Sequence, residues 1–138
     1  MVKQKEQKKD LKFEKRNKRF VDSMSKDPIV KKLSDKWLIA CHKYEYSYHF
    51  TWLGLPIIQY PQDVLAVQEI IWTTRPDLII ETGIAHGGSL ILSASMLAIL
   101  NMCESIESGT TFDLNSSHRK VLAVDVDIRL PNRTAIRK

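Results

Sequence analysis

Cysteine is almost missing from this chain, and what remains is badly placed for chemistry. Cys41 and Cys103 are the only two. Thiols this far apart exclude a dense disulfide framework, and neither has a second Cys or His at zinc-ligand spacing. His42 adjoins Cys41, but one Cys-His pair does not make a metal site. So few cysteines fit a reducing compartment. Long apolar runs are missing too. The longest, Leu90 to Leu100 with only serines interrupting, falls short of the ~20 residues that span a bilayer. The N-terminus is too charged for a secretory apolar region. A soluble, cytoplasmic protein with no transmembrane segment is therefore expected. Glycine is scarce, with five in 138 residues, so a cluster of three between positions 83 and 88 stands out.

Charge of one sign is concentrated at one end. Residues 1–20 hold nine Lys/Arg against three acids, so the other 118 residues sum to −1. The body is close to neutral, and the basicity belongs to an N-terminal extension, residues 1–26. Such a segment suits nucleic acid or an anionic membrane surface, although most charge runs are solvated helices or frayed tails. Phe13 and Phe20 are the only aromatics there, too few for a base-stacking ladder, so a nucleic-acid partner is not expected.

Asp27-Pro28 breaks the chain, because the residue before proline is pushed out of the helical region. Residues 27–138 then read as one α/β domain or part of a larger one. Ile29, Leu33, Trp37 and Ala40/Cys41 recur at helical spacing over 29–43. Residues 44–60 alternate Tyr44, Tyr46, Tyr48, Phe50 and Trp52, which puts five rings on one face if the segment is extended. That stripe reads first as core and second as a substrate surface. Gly54 and Pro56 end it. Pro61-Gln62-Asp63 opens a helix to about Thr74, with Val64, Val67, Ile70 and Ile71 inward.

The most informative stretch is Asp77-Leu78-Ile79-Ile80-Glu81-Thr82-Gly83-Ile84-Ala85-His86-Gly87-Gly88-Ser89. It predicts a strand covered on both faces, a glycine loop and a helix start. The glycines permit tight turns and close ligand approach. The helix N-terminus offers free N–H groups, and Glu81 ends the strand where open α/β sheets bind ligands. The helix runs from about Gly88 to Asn101, apolar nearly all round and so largely buried. A polar connection over 102–119 leads to a second buried strand, Lys120 to Ile128, ending in Asp125 and Asp127. The two strands and their helix form a βαβ unit, right-handed by rule. Pro131-Asn132-Arg133 opens a further helix, cut at Lys138. No internal repeat is visible. A sheet of two such strands is incomplete, so the chain is expected to be the first part of a longer enzyme, or a truncated product. Exposed sheet edges would then favour a homo-oligomer.

The blocks WLGLPIIQYPQDVLAVQEIIW (52–72), PDLIIETGIAHGGSLILSASML (76–97) and VLAVDVDIRLPNRTAI (121–136) together resemble the cephalosporin hydroxylase family. Despite that label, the family is similar to class I S-adenosylmethionine-dependent O-methyltransferases and includes rhamnosyl O-methyltransferases. The resemblance covers roughly residues 28–138 and the first half of a typical member. It implies a Rossmann-like sheet, here incomplete: the first βαβ unit plus N-terminal helices. It implies S-adenosylmethionine as cofactor and a hydroxyl of a sugar, glycan or natural product as acceptor. Glu81, Gly83 and Gly87 match the E-x-G-x-x-x-G loop around the cofactor, and Ser89 could bond its carboxylate. Asp125 matches the acid that binds the ribose hydroxyls, with Asp127 as the neighbouring candidate. Mg2+ is implied only through acids that would lie past Lys138, so no metal ligand is assigned in this chain. No catalytic residue is assigned either, since a loop imidazole such as His86 more often packs than catalyses. A non-catalytic remnant of the same fold is the alternative. A nicotinamide enzyme is disfavoured because Ala85 stands where the dinucleotide fingerprint needs its second glycine.

Overall fold

The computed structural model describes residues 2–113 and 117–137. Residues 114–116 of the expected connection, and Lys138, lie outside the described residues. The chain forms two compact units, Met1–Tyr44 and Glu45–Lys138, so the helix expected over 29–43 falls in the first.

The first unit is two helices, α1 (Val2–Lys26) and α2 (Pro28–His42). Asp27 separates them as expected. Its backbone is extended, and its carboxylate accepts the N–H groups of Ile29 and Val30. Pro28 occupies the first helical turn, where its missing N–H costs nothing.

The second unit is α/β. It begins with a short 3-10 turn at Tyr46–Tyr48 and a hairpin, β1 (Phe50–Trp52) with β2 (Leu55–Ile57). The expected five-ring stripe does not form. Tyr46 and Tyr48 sit in the turn, and the chain reverses after Trp52. Leu53 and Gly54, at φ 48 and 85, make the two-residue connection, which is the backbone that antiparallel strands of this twist require. Pro56 does not end the segment. It sits within β2 opposite Thr51, tolerable because β2 lies at a sheet edge. Helix α3 (Pro61–Thr74) forms as expected, but Ile70 points to solvent while Ile71 is buried.

Strands β3 (Leu78–Thr82) and β4 (Lys120–Val124) pair in parallel, Leu78 opposite Lys120 through Thr82 opposite Val124. Helix α4 (Gly88–Ser108) joins them. Several expectations are corrected. The strands are covered on one face only, since Leu78, Ile80, Leu122 and Val124 are exposed. Strand β4 ends at Val124 and not Ile128, because Asp125 turns the chain by accepting the Asp127 N–H. The helix also runs seven residues past Asn101, to Ser108, where Gly109 caps it at positive φ. At 21 residues α4 is long and apolar enough, by length and composition, to cross a membrane. In this fold one face of it builds the core instead, and the expectation of a largely buried helix is corrected, since Ile99, Met102 and Ile106 are exposed. Leu92, Met96, Leu97 and Leu100 pack with Ile57 and Ile71, flanked by Phe50, Trp52, Val67, Ile79 and Val121. The Trp52 indole N–H donates to Ser95 Oγ at 3.0 Å, fixing the hairpin on α4. A last helix, α5 (Leu130–Ile136), follows β4.

Beyond the sheet, Arg119 locks the end of α4 to the start of β4. Its side chain is 5% exposed and its guanidinium grips Glu104 with two bonds, 2.7 and 2.8 Å, while its Nε donates to Pro76 O. Arg75 adds a third contact to Glu104 at 3.3 Å. The Arg119 hydrogen bonds hold the Glu104 carboxyl below the usual glutamate range.

Candidate functional site

The C-terminal end of β3, the loop 83–87 and the first turns of α4 enclose one side of an open cleft of about 460 Å3. Pro56 of the hairpin, with Ile58 and Gln59 just after it, supplies the other side. That volume suits a small organic ligand.

Four glycine-loop features shape it. Gly83 adopts φ +82, and a side chain there would meet nothing within 4 Å, so its missing Cβ leaves open space at the cleft. Ala85 holds φ 45 without being glycine, at a cost of roughly 1 kcal/mol; its carbonyl accepts the Asn132 side-chain amide. Gly87 starts the helix at φ +87, and a Cβ there would run into Ile136 of α5. Gly88 is pressed against the hairpin: a Cβ would lie 2.3 Å from Pro56 O. Each glycine thus has a separate physical reason.

Two acids brace this loop. Glu81 accepts the Ser89 hydroxyl, tying the strand end to the helix start across the loop. Asp125 Oδ2 accepts the Ile84 N–H at 2.7 Å, and Oδ1 accepts the Asp127 N–H at 3.1 Å. The Ile84 amide first, then the Asp127 amide, hold the Asp125 carboxyl below the ordinary aspartate range. Gly83 N–H also bonds Val124 O at 2.8 Å, so the sheet ladder runs into the loop.

Of the six expected cofactor residues, Glu81, Gly83 and Ser89 line the cleft, with Ala85 and His86 beside them. Gly87, Asp125 and Asp127 do not line it. Gly87 is buried under α5, Asp125 serves the loop from behind, and Asp127 is exposed on the turn after β4. Asp127 lies past the end of β4, on the turn that Asp125 closes. Among the described residues no group of three His, Cys, Asp or Glu stands close enough to hold a metal.

Sequence reasoning missed Gln59 and Ser93, which also line the cleft. Ser93 is buried on α4. Gln59 Oε1 is buried and has no hydrogen-bond partner among the described residues, an unusual state for a buried acceptor. Its only signal in the sequence was position, a polar residue between the apolar Ile57-Ile58 and Pro61. The cleft therefore offers a fixed carboxylate, a hydroxyl and an unpaired amide oxygen around space that a side chain at Gly83 would fill. Such acceptors suit a small ligand that brings ammonium, amine or hydroxyl donors.

No curated protein and no solved structure matches the chain. A family model described as rhamnosyl O-methyltransferase/CmcI matches residues 44–138. That span covers the hairpin, the glycine loop and both parallel strands, and leaves α1 and α2 outside. On this match over most of its length, the chain belongs to the rhamnosyl O-methyltransferase/CmcI family.

Proposed function

We propose that this chain is the cofactor-binding part of an S-adenosylmethionine-dependent O-methyltransferase with a Rossmann-like sheet. Its acceptor would be a hydroxyl of a sugar, glycan or natural product, and its location cytoplasmic. The observation that carries this reading is the Glu81–Ser89 bond spanning a loop whose Gly83 leaves side-chain space empty beside a cleft. A parallel strand end, a glycine turn and a helix N-terminus are where α/β sheets hold polar ligands. Family membership supports the methyl-transfer class.

When bound, S-adenosylmethionine supplies an electrophilic methyl group to an acceptor oxygen. The chain's own residues hold and orient. Glu81, fixed by Ser89, accepts from a donor group of the ligand. Gln59 Oε1 gains the partner it lacks. Asp125 keeps Ile84 in place and so sets the loop's shape from behind the cleft. Orientation of this kind supplies much of the rate in a two-substrate displacement.

Calorimetric titration of S-adenosylhomocysteine into the chain tests the reading, with NAD as control. Saturable binding that is weakened in Gly83→Trp and in Ser89→Ala, with no NAD binding, is the expected result. A chain folded by circular dichroism that takes up NAD, or neither ligand, would overturn it.

A further inference from the structure

Helix α1 lies outside the matched family region. Over residues 11–26 it divides into two faces. Phe13, Asn17, Phe20, Val21 and Met24 recur at i, i+4, i+7, i+8 and i+11, a stripe bearing no charged residue. Lys12, Lys15, Arg19 and Lys26 recur on the opposite side, and Arg16 and Lys18 flank the stripe. Six Lys/Arg face only two acids, Glu14 and Asp22, in these sixteen residues. The apolar stripe is in water: Phe13 is 55% exposed, Phe20 58% and Met24 57%. The Arg16 and Arg19 guanidinium groups lie over the Phe13 and Phe20 rings at 5.3 and 5.4 Å, so cationic groups stand directly beside the apolar stripe.

We propose that α1 is an interfacial helix that docks this protein on an anionic membrane surface, with Phe13, Phe20, Val21 and Met24 entering the headgroup region. The net positive charge of the helix complements anionic lipid, and the charge-free stripe supplies the apolar contact. Neither feature alone would hold the helix there, and both occur on the same sixteen residues. Nucleic acid suits the helix less well. Its phosphates would engage the row formed by Lys12, Lys15 and Arg19 and leave Phe13, Phe20 and Met24 in water, with no ring on the basic side to stack a base.

The test is flotation of the full chain with phosphatidylcholine vesicles containing about a third phosphatidylserine, and with pure phosphatidylcholine vesicles. Binding to the anionic vesicles alone is expected, falling as salt rises from about 0.15 M to 1 M and the Debye length contracts from about 8 to 3 Å. Phe13→Glu/Phe20→Glu should weaken it at least tenfold with salt held constant. Lys12→Glu/Lys15→Glu/Arg19→Glu should weaken it about a hundredfold or more. Far-UV circular dichroism confirms that each variant folds, and Thr73→Ala, at an exposed position of α3, serves as a control that floats like the parent. Equal binding to both vesicle types, or an unaltered Phe13→Glu/Phe20→Glu variant, overturns the proposal. So does tight RNA binding without flotation. So does a dimer by sedimentation that the phenylalanine changes dissolve while no vesicle binds.

Discussion

At the residue scale, neighbouring glycines carry different duties, and substitution separates them. Gly88 has no room, because its Cβ would collide with the backbone of β2 rather than a flexible side-chain end. Gly88→Ala should cost about 1–3 kcal/mol as hairpin and helix are pushed apart, visible as a lower denaturant midpoint. Gly83 has room and lacks only conformational freedom, so Gly83→Ala should cost about 1 kcal/mol from its positive φ. Gln59 offers the reverse trade. Removing an unpartnered buried oxygen relieves the folded state. Gln59→Leu should therefore leave stability unchanged or raised, while weakening S-adenosylhomocysteine about tenfold, read by calorimetry and thermal melting on the same samples. Equal affinity in this variant would remove Gln59 from the ligand's surroundings.

At the element scale, local patterning was readable wherever one rule acted alone. The start of α3 at Pro61, the cap at Asp27 and the run Leu78–Thr82 into the glycine loop all follow from short-range chemistry. The ring alternation misled because period-two spacing cannot show where a chain reverses. Leu53 contains no turn signal, yet it takes a left-handed backbone beside Gly54. Leu53→Asn should therefore stabilise the hairpin by roughly 0.5–1 kcal/mol, measurable as a raised melting temperature. Helix α4 outran its expected end because polar Glu104 and Glu107 looked like loop, while in the fold they face Arg75 and Arg119. In the site, Glu81, Gly83 and Ser89 were legible from the loop motif. Gln59 was not, since only tertiary packing brings the segment after β2 to the cleft. The Glu104 carboxyl is depressed when folded, so the stabilisation it provides is complete above the ordinary glutamate value of about 4.3 and is lost as pH falls through the lower folded value. Glu104→Gln should flatten the acid limb of a stability-against-pH curve and leave it lower at neutral pH.

At the scale of the whole molecule, one side of the parallel pair stays bare. Leu78, Ile80, Leu122 and Val124 form an apolar patch on a sheet with open edges, a surface prone to association. Ile80→Lys/Leu122→Lys should reduce concentration-dependent light scattering without lowering the melting temperature, since neither side chain belongs to the core. The opposite side is where the fold invests its order. Hairpin, α3 and α4 share one apolar cluster, and the hairpin meets α4 at the point where the cleft begins.

That junction gives the protein an optical voice. Trp52 bonds Ser95 from the hairpin whose following residues wall the cleft, whereas Trp72 sits on α3 against Arg75 and Trp37 belongs to the other compact unit. A ligand that presses on Gln59 or on the helix start must disturb the hairpin's seat on α4, and with it the indole's polar partner. Occupancy can then be followed in an unlabelled sample as a change of ultraviolet emission that disappears in Trp52→Phe and persists when either of the other two indoles is replaced.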